Sequence, residues 1–174
     1  EVLQLGSLGN LRLSLNQYVD VVLKKTASLF AASAECGAIM AAASPLRVKA
    51  LRDFGLYFGI AFQMKDDLLD MTSDALALGK PVGNDLRERK VTIPLILSLE
   101  GGDQEFRELV ERFYLGDENE TDSIIDAISR RGGIARTREC IGQYCERAKM
   151  SLAPLGNASA RASLHHLADT LAGN

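Results

Sequence analysis

Tryptophan is absent from the 174 residues, histidine occurs twice, and no uninterrupted apolar run approaches the roughly 20 residues needed to cross a bilayer. Neither a membrane span nor an interfacial aromatic belt is therefore expected. Three cysteines, Cys36, Cys140 and Cys145, form an odd set without metal-ligand spacing, which excludes a disulfide framework and fits thiols in a reducing compartment, with the cytoplasm as the expected location. A net charge of −3 with scattered basic residues lacks the cationic face that nucleic acid demands. No alternation of period two persists, which excludes an extensive sheet, and no repeat or low-complexity tract appears. The chain does not open with Met or a leader-like segment, and it reads as a fragment of a longer protein.

What is present is helical periodicity from end to end, and 47% hydrophobic content is ample for one core. The expectation is a single all-α domain over residues 1–174. Ser14 with Gln17 makes a capping box for a long helix over about 15–43. Ser44-Pro45 restarts the chain in a second long helix to about Met71. Residues 72–92 read as a loop with a frayed helical turn at 74–78, and Thr92 is placed to cap the next helix, with Pro94 in its first turn. Further helices are expected at about 104–115, 122–131, 134–152 and 158–172.

The most informative segment is G-I-A-F-Q-M-K-D-D-L-L-D at 59–70. At about 100° per residue, Gln63, Asp66, Asp67 and Asp70 fall in one stripe of a helix otherwise lined by Phe58, Ile60, Ala61, Phe62, Met64, Leu68 and Leu69. Two readings stand. D-D-x-x-D is commonly an exposed acidic turn; set among apolar residues, it is instead a site where a cation neutralises carboxylates that are costly to desolvate, and hard oxygen ligands favour Mg²⁺.

Lys25 lies three, four or seven residues from Val21, Val22, Leu29 and Tyr18, on the apolar face, whereas Lys24 aligns with polar neighbours. Either its stem snorkels and the ammonium is solvated, or it meets an anion held by the acidic stripe. Thr26 either bonds back to its own helix or offers a hydroxyl to the same anion. Lys80, between glycines 79 and 83, and Lys90, just before the helix at Thr92, could close over a phosphate; Arg87, Arg89 and Lys90 could equally be a solvated charge run. His165 and His166 read as a surface pair.

K-T-A-S-L-F at 25–30, F-Q-x-x-D-D-x-x-D at 62–70 and G-K-P-V-G-N-D-L-R-E-R-K-V-T-I-P-L at 79–95 together resemble the head-to-tail trans-prenyl diphosphate synthases. The resemblance implies the all-α isoprenoid synthase fold, a helical bundle around a central cleft, of which this chain is the C-terminal portion. Asp66, Asp67 and Asp70 then match the family's second Asp-rich motif and are its Mg²⁺ ligands; the first motif would lie upstream, and no other D-D-x-x-D occurs here. It implies that Lys25, Thr26, Lys80 and Gln63 meet the allylic diphosphate, with Lys25, Thr26 and Lys80 catalytic, and that Lys90 helps hold phosphates as the loop closes. The implied reaction is Mg²⁺-assisted condensation of isopentenyl diphosphate with an allylic diphosphate by an intact homodimer. The 174 residues alone, with one motif, would not turn over. A non-catalytic regulatory subunit is the alternative. A terpene cyclase would carry a different second motif, and a plain Mg²⁺ or Ca²⁺ module would not need the K-T pair.

Overall fold

The computed structural model describes residues 5–72, 82–116, 120–156 and 159–173, and among them every regular element is helical. The helices are α1 (Leu15–Val22), a π-turn (Leu23–Ala27), α2 (Ser28–Met40), α3 (Pro45–Thr72), α4 (Asn84–Arg87), α5 (Ile93–Leu99), α6 (Gln104–Tyr114), α7 (Thr121–Arg130), α8 (Gly133–Ser151), a 3₁₀ turn (Ala153–Leu155) and α9 (Ser159–Gly173). No helix among the described residues is long and apolar enough to cross a membrane. The chain divides into two compact units, one formed by residues 1–21 and 66–138, the other by 22–65 and 139–174.

The capping box forms as expected. Ser14 N–H donates to Gln17 Oε1 over 2.9 Å, and Gln17 N–H returns a bond to Ser14 Oγ, so two of the orphan donors of the α1 N-terminus are satisfied reciprocally. The single long helix expected over 15–43 is instead interrupted. At Leu23–Ala27 the backbone opens into a π-turn, with Ser28 N–H bonded five residues back to Leu23 O. Lys24, Lys25 and Thr26 all sit in this widened turn, and turns of this kind recur at functional positions.

In the first unit the core is built around α5, where every residue from Ile93 to Leu99 is buried. A helix apolar all round must be enclosed, and Leu86, Phe106, Val110, Ile124 and Ile128 supply fully buried side chains in the same unit. Gly133 is required there: a Cβ at this position would stand 2.2 Å from Ser98 Oγ and 2.4 Å from Pro94 O. Asp103 caps α6 by accepting from Phe106 N–H at 3.0 Å, and its carboxylate pairs with Arg131, whose guanidinium lies 4.4 Å over the Phe106 ring.

Thr92 occupies the N-cap position of α5 but makes no capping bond, contrary to the sequence reading. The N2 position is Pro94, which has no N–H to offer the hydroxyl, and the N3 donor, Leu95 N–H, makes no bond to it either. Thr92 Oγ1 is left buried without a hydrogen-bond partner among the described residues. The turn expected at 74–78 lies outside the described residues.

In the second unit α3 approaches α2 and the π-turn before it very closely at Gly55 and Gly59. A Cβ on Gly55 would come within 2.5 Å of Phe30 O, and one on Gly59 within 2.7 Å of Ala27 Cα. Phe30 packs on Phe58 and Phe62 with ring centroids 5.8 and 5.3 Å apart, and Phe54 stacks on Phe58. Lys149 of α8 bonds Asp169 of α9 at 2.7 Å. Leu29, Ile39 and Met40 of α2 are exposed.

Candidate functional site

The described residues among those singled out by the sequence fall on α3, on the π-turn and on the segment 82–90. In the second unit, Thr26 Oγ1 donates to Gln63 Oε1 over 2.9 Å. Thr26 therefore does not bond back to its own helix in the manner of a solvent-facing threonine; its hydroxyl fixes the amide of Gln63. The carbonyl end of that amide is thereby engaged by the hydroxyl. Lys25, beside it, is exposed. Of the residues that defined its apolar face, Tyr18 and Val22 are buried, whereas Leu29 is 70% exposed. The π-turn is the reason the simple periodicity misplaces Lys25, because a widened turn shifts the register of every following side chain.

In the first unit the three carboxylates of α3 take three environments. Asp66 is exposed. Asp67 is 5% exposed and accepts a 2.6 Å hydrogen bond at Oδ2 from the phenol of Tyr18, itself 5% exposed. Burial, together with the neighbouring Asp67 charge, pushes the Tyr18 phenol well above its ordinary pKa, so it remains a donor. Asp70 is half-buried; its Oδ2 accepts from Asp85 N–H at 3.1 Å and its carbonyl from Gly83 N–H at 2.8 Å. Burial first, then the Asp85 charge, raises its carboxyl pKa against the pull of the Asp85 and Asn84 backbone N–H groups and Lys90. Gly83 itself has a φ of +76°, the left-handed conformation that glycine adopts without a Cβ penalty.

Lys90 Nζ lies 2.9 Å from Asp85 Oδ1 and 2.6 Å from Glu88 Oε2. Burial alone would lower its pKa, but the bonds to Glu88 and Asp85 outweigh it and hold the ammonium charged. Lys90 is thus neither a freely solvated member of a charge run nor presented bare to an anion. Lys80 lies outside the described residues.

Among the described residues no group of three or more His, Cys, Asp or Glu side chains is close enough to hold a metal ion. The stripe read from the sequence does not converge as a three-carboxylate cage. Asp66 and Asp70, four residues apart on one helix, lie about 6 Å apart at Cβ. The donor set fits a hard divalent ion held by one or two carboxylates that keeps most of its water, the coordination that a small, reluctantly dehydrated cation prefers.

Tyr18 and Asp85 were not among the residues the sequence marked for chemistry. The available signal for Tyr18 was that a tyrosine on a buried face needs a partner for its hydroxyl; nothing in the spacing identified Asp67 as that partner, 49 residues away.

Residues 1–130 match the polyprenyl synthetase family. The chain is 36% identical over 170 residues to the short chain isoprenyl diphosphate synthase of Methanothermobacter thermautotrophicus, covering 97% of this chain and 52% of that protein. It is 35% identical over 171 residues to the octaprenyl diphosphate synthase of Escherichia coli, covering 97% and 53%. The crystal structure of polyprenyl synthase from Caulobacter crescentus, complexed with calcium and isoprenyl diphosphate, superimposes with a TM-score of 0.92 at 35% identity over 99% of this chain and 54% of that one. The chain thus spans about half the length of the relatives it matches. With the helical fold, the three ordered motifs and these likenesses in agreement, the chain belongs to the polyprenyl synthetase family.

Proposed function

We propose that these 174 residues form the C-terminal portion of a head-to-tail trans-prenyltransferase that condenses isopentenyl diphosphate with an allylic diphosphate. The observation that carries the reading is the acidic motif at 66–70 in a chain of this family, with Asp66 exposed on α3. The reaction breaks the allylic C–O bond, with its electron pair leaving on diphosphate. The double bond of isopentenyl diphosphate then supplies the electrons for the new C–C bond, and loss of a proton restores a double bond in a product longer by one isoprene unit. Mg²⁺, when bound, neutralises the negative charge growing on the leaving diphosphate.

The chain's own residues bind and orient. Asp66, Asp67 and Asp70 carry the cation motif, with Asp66 facing the ion. Lys25 and the Gln63 amide, bonded by Thr26, meet diphosphate oxygens, and Lys80 and Lys90 are each assigned a phosphate-binding role. For Lys90 this requires exchanging a carboxylate partner, Asp85 or Glu88, for the substrate. The 174 residues, with one acidic motif, do not turn over without the rest of the family fold. The intact enzyme is read as a cytoplasmic homodimer.

The test is incorporation of labelled isopentenyl diphosphate into an allylic primer by a polypeptide that joins these residues to the remaining family length. Mg²⁺-dependent chain elongation that falls by orders of magnitude in Asp66→Asn supports the proposal. Elongation without added metal, or an Asp66→Asn variant at full rate, overturns it.

A further inference from the structure

Two adjacent carboxylates of one motif differ in their exposure. Asp66 is exposed, whereas Asp67 is 5% exposed and bonded to the phenol of Tyr18 over 2.6 Å. Its chain neighbours on the buried side of α3, Met64, Leu68 and Met71, are 0–3% exposed and carry no hydrogen-bond donor in their side chains. In such surroundings the phenol–carboxylate bond is short, strong and directional. Rotation of the phenol away from Asp67 would break this buried bond.

The pair is costly to keep for packing alone. Phenylalanine at 18 and an apolar residue at 67 would fill the same space without desolvating a carboxylate. The expense becomes intelligible if the carboxylate must stay at one place next to Asp66. Outer partners of this kind orient metal-binding carboxylates, and losing them typically weakens a site by one to two orders of magnitude.

We propose that Tyr18 is a positioning residue of the acidic motif: its phenol pins the Asp67 carboxylate, and so fixes the arrangement of negative charge in which Asp66 receives a divalent cation. This inference rests on the cation-dependent reading of the motif given above. Without the phenol, Asp67 swings toward water and the ordered charge beside Asp66 is lost.

Mn²⁺ alone serves as the probe, its free fraction read by electron paramagnetic resonance against the 174-residue chain. Tyr18→Phe, which keeps the ring, is expected to weaken Mn²⁺ binding about tenfold. In an Asp67→Asn background the same replacement is expected to change nothing further, because the group it positions has gone. Ile124→Val, which removes a buried methylene in the same unit, lowers thermal stability but leaves Mn²⁺ affinity unchanged, so a general loss of packing is separated from lost positioning. Should Tyr18→Phe fail to fold, Asp67→Asn alone carries the test and must weaken Mn²⁺ binding by a similar factor. Wild-type affinity in Tyr18→Phe, or an equal further loss in the double variant, overturns the positioning role while leaving the cation reading intact. A wild-type chain that takes up no Mn²⁺ overturns both.

Discussion

Replacing Gly59 by alanine puts a methyl group where the backbone of the neighbouring helix already stands. The new Cβ would lie 2.7 Å from Ala27 Cα and 3.1 Å from both Ala27 Cβ and Phe30 Cβ. Ordinary carbon contacts lie at about 3.5–4.0 Å, so the two segments must separate by about 1 Å. Overpacking of this kind costs about 1–3 kcal/mol. The hydrogen bond from Thr26 to Gln63, one turn further along the same two segments, is stretched beyond use, a loss of about 0.5–1.5 kcal/mol. Against this, alanine is favoured over glycine in a helix interior by about 1 kcal/mol. The net expectation is destabilisation by about 1–3 kcal/mol, which for a chain of this size lowers the melting temperature by roughly 2–4 °C per kcal/mol.

Gly37 is the internal control, since it lies in α2 and a Cβ there meets nothing within 4 Å. Gly37→Ala therefore gains helix propensity without a clash, and should raise the melting temperature by a few degrees. Thermal unfolding followed by circular dichroism, with the two variants side by side, gives the comparison. A Gly59→Ala protein as stable as Gly37→Ala would refute the claim that close approach at Gly59 sets the Thr26–Gln63 contact.

Asp70, whose carboxyl pKa is raised, binds its proton more tightly in the folded chain than unfolded, so its ionisation withdraws stability as pH rises from the ordinary carboxylate value through the raised one. Asp70→Asn keeps an oxygen to accept from Asp85 N–H, and so should be at least as stable as wild type at neutral pH without metal, with the advantage disappearing in acid; denaturant melts across that range decide it. Lys25→Ala in the intact enzyme should raise KM for the allylic substrate with little change in melting temperature, because the side chain is exposed; unchanged kinetics would return Lys25 to the role of a solvated surface lysine. Thr92→Val replaces a buried hydroxyl without a partner among the described residues by a methyl group, and should be neutral or stabilising by about 1 kcal/mol in chemical denaturation; a loss of that size would mean the hydroxyl has a partner.

Much of this fold was legible because its signals are local. The capping box at Ser14 and Gln17, the Pro45 start of α3 and the apolar run of α5 each follow from a few neighbouring residues, and the helices from α6 onward lie within about two residues of their expected bounds. What was not legible depends on distant partners or on backbone departures that periodicity does not encode. The π-turn at Leu23–Ala27 holds Lys25 in a widened turn, and Pro94, although recognised as a first-turn residue, was not read as removing one of the two N–H groups that Thr92 could have capped. The acidic motif was visible as a stripe, but its division among Asp66, Asp67 and Asp70 is set by Tyr18 and Asp85, which come from other segments.

A cation-dependent diphosphate site on this chain is probed by calorimetric titration of inorganic diphosphate into the 174-residue chain with and without Mg²⁺, repeated for Asp66→Asn. Binding that requires Mg²⁺ and is lost in Asp66→Asn is expected. Binding of equal strength without the metal or in the variant, or no binding with Mg²⁺ present, would contradict that expectation.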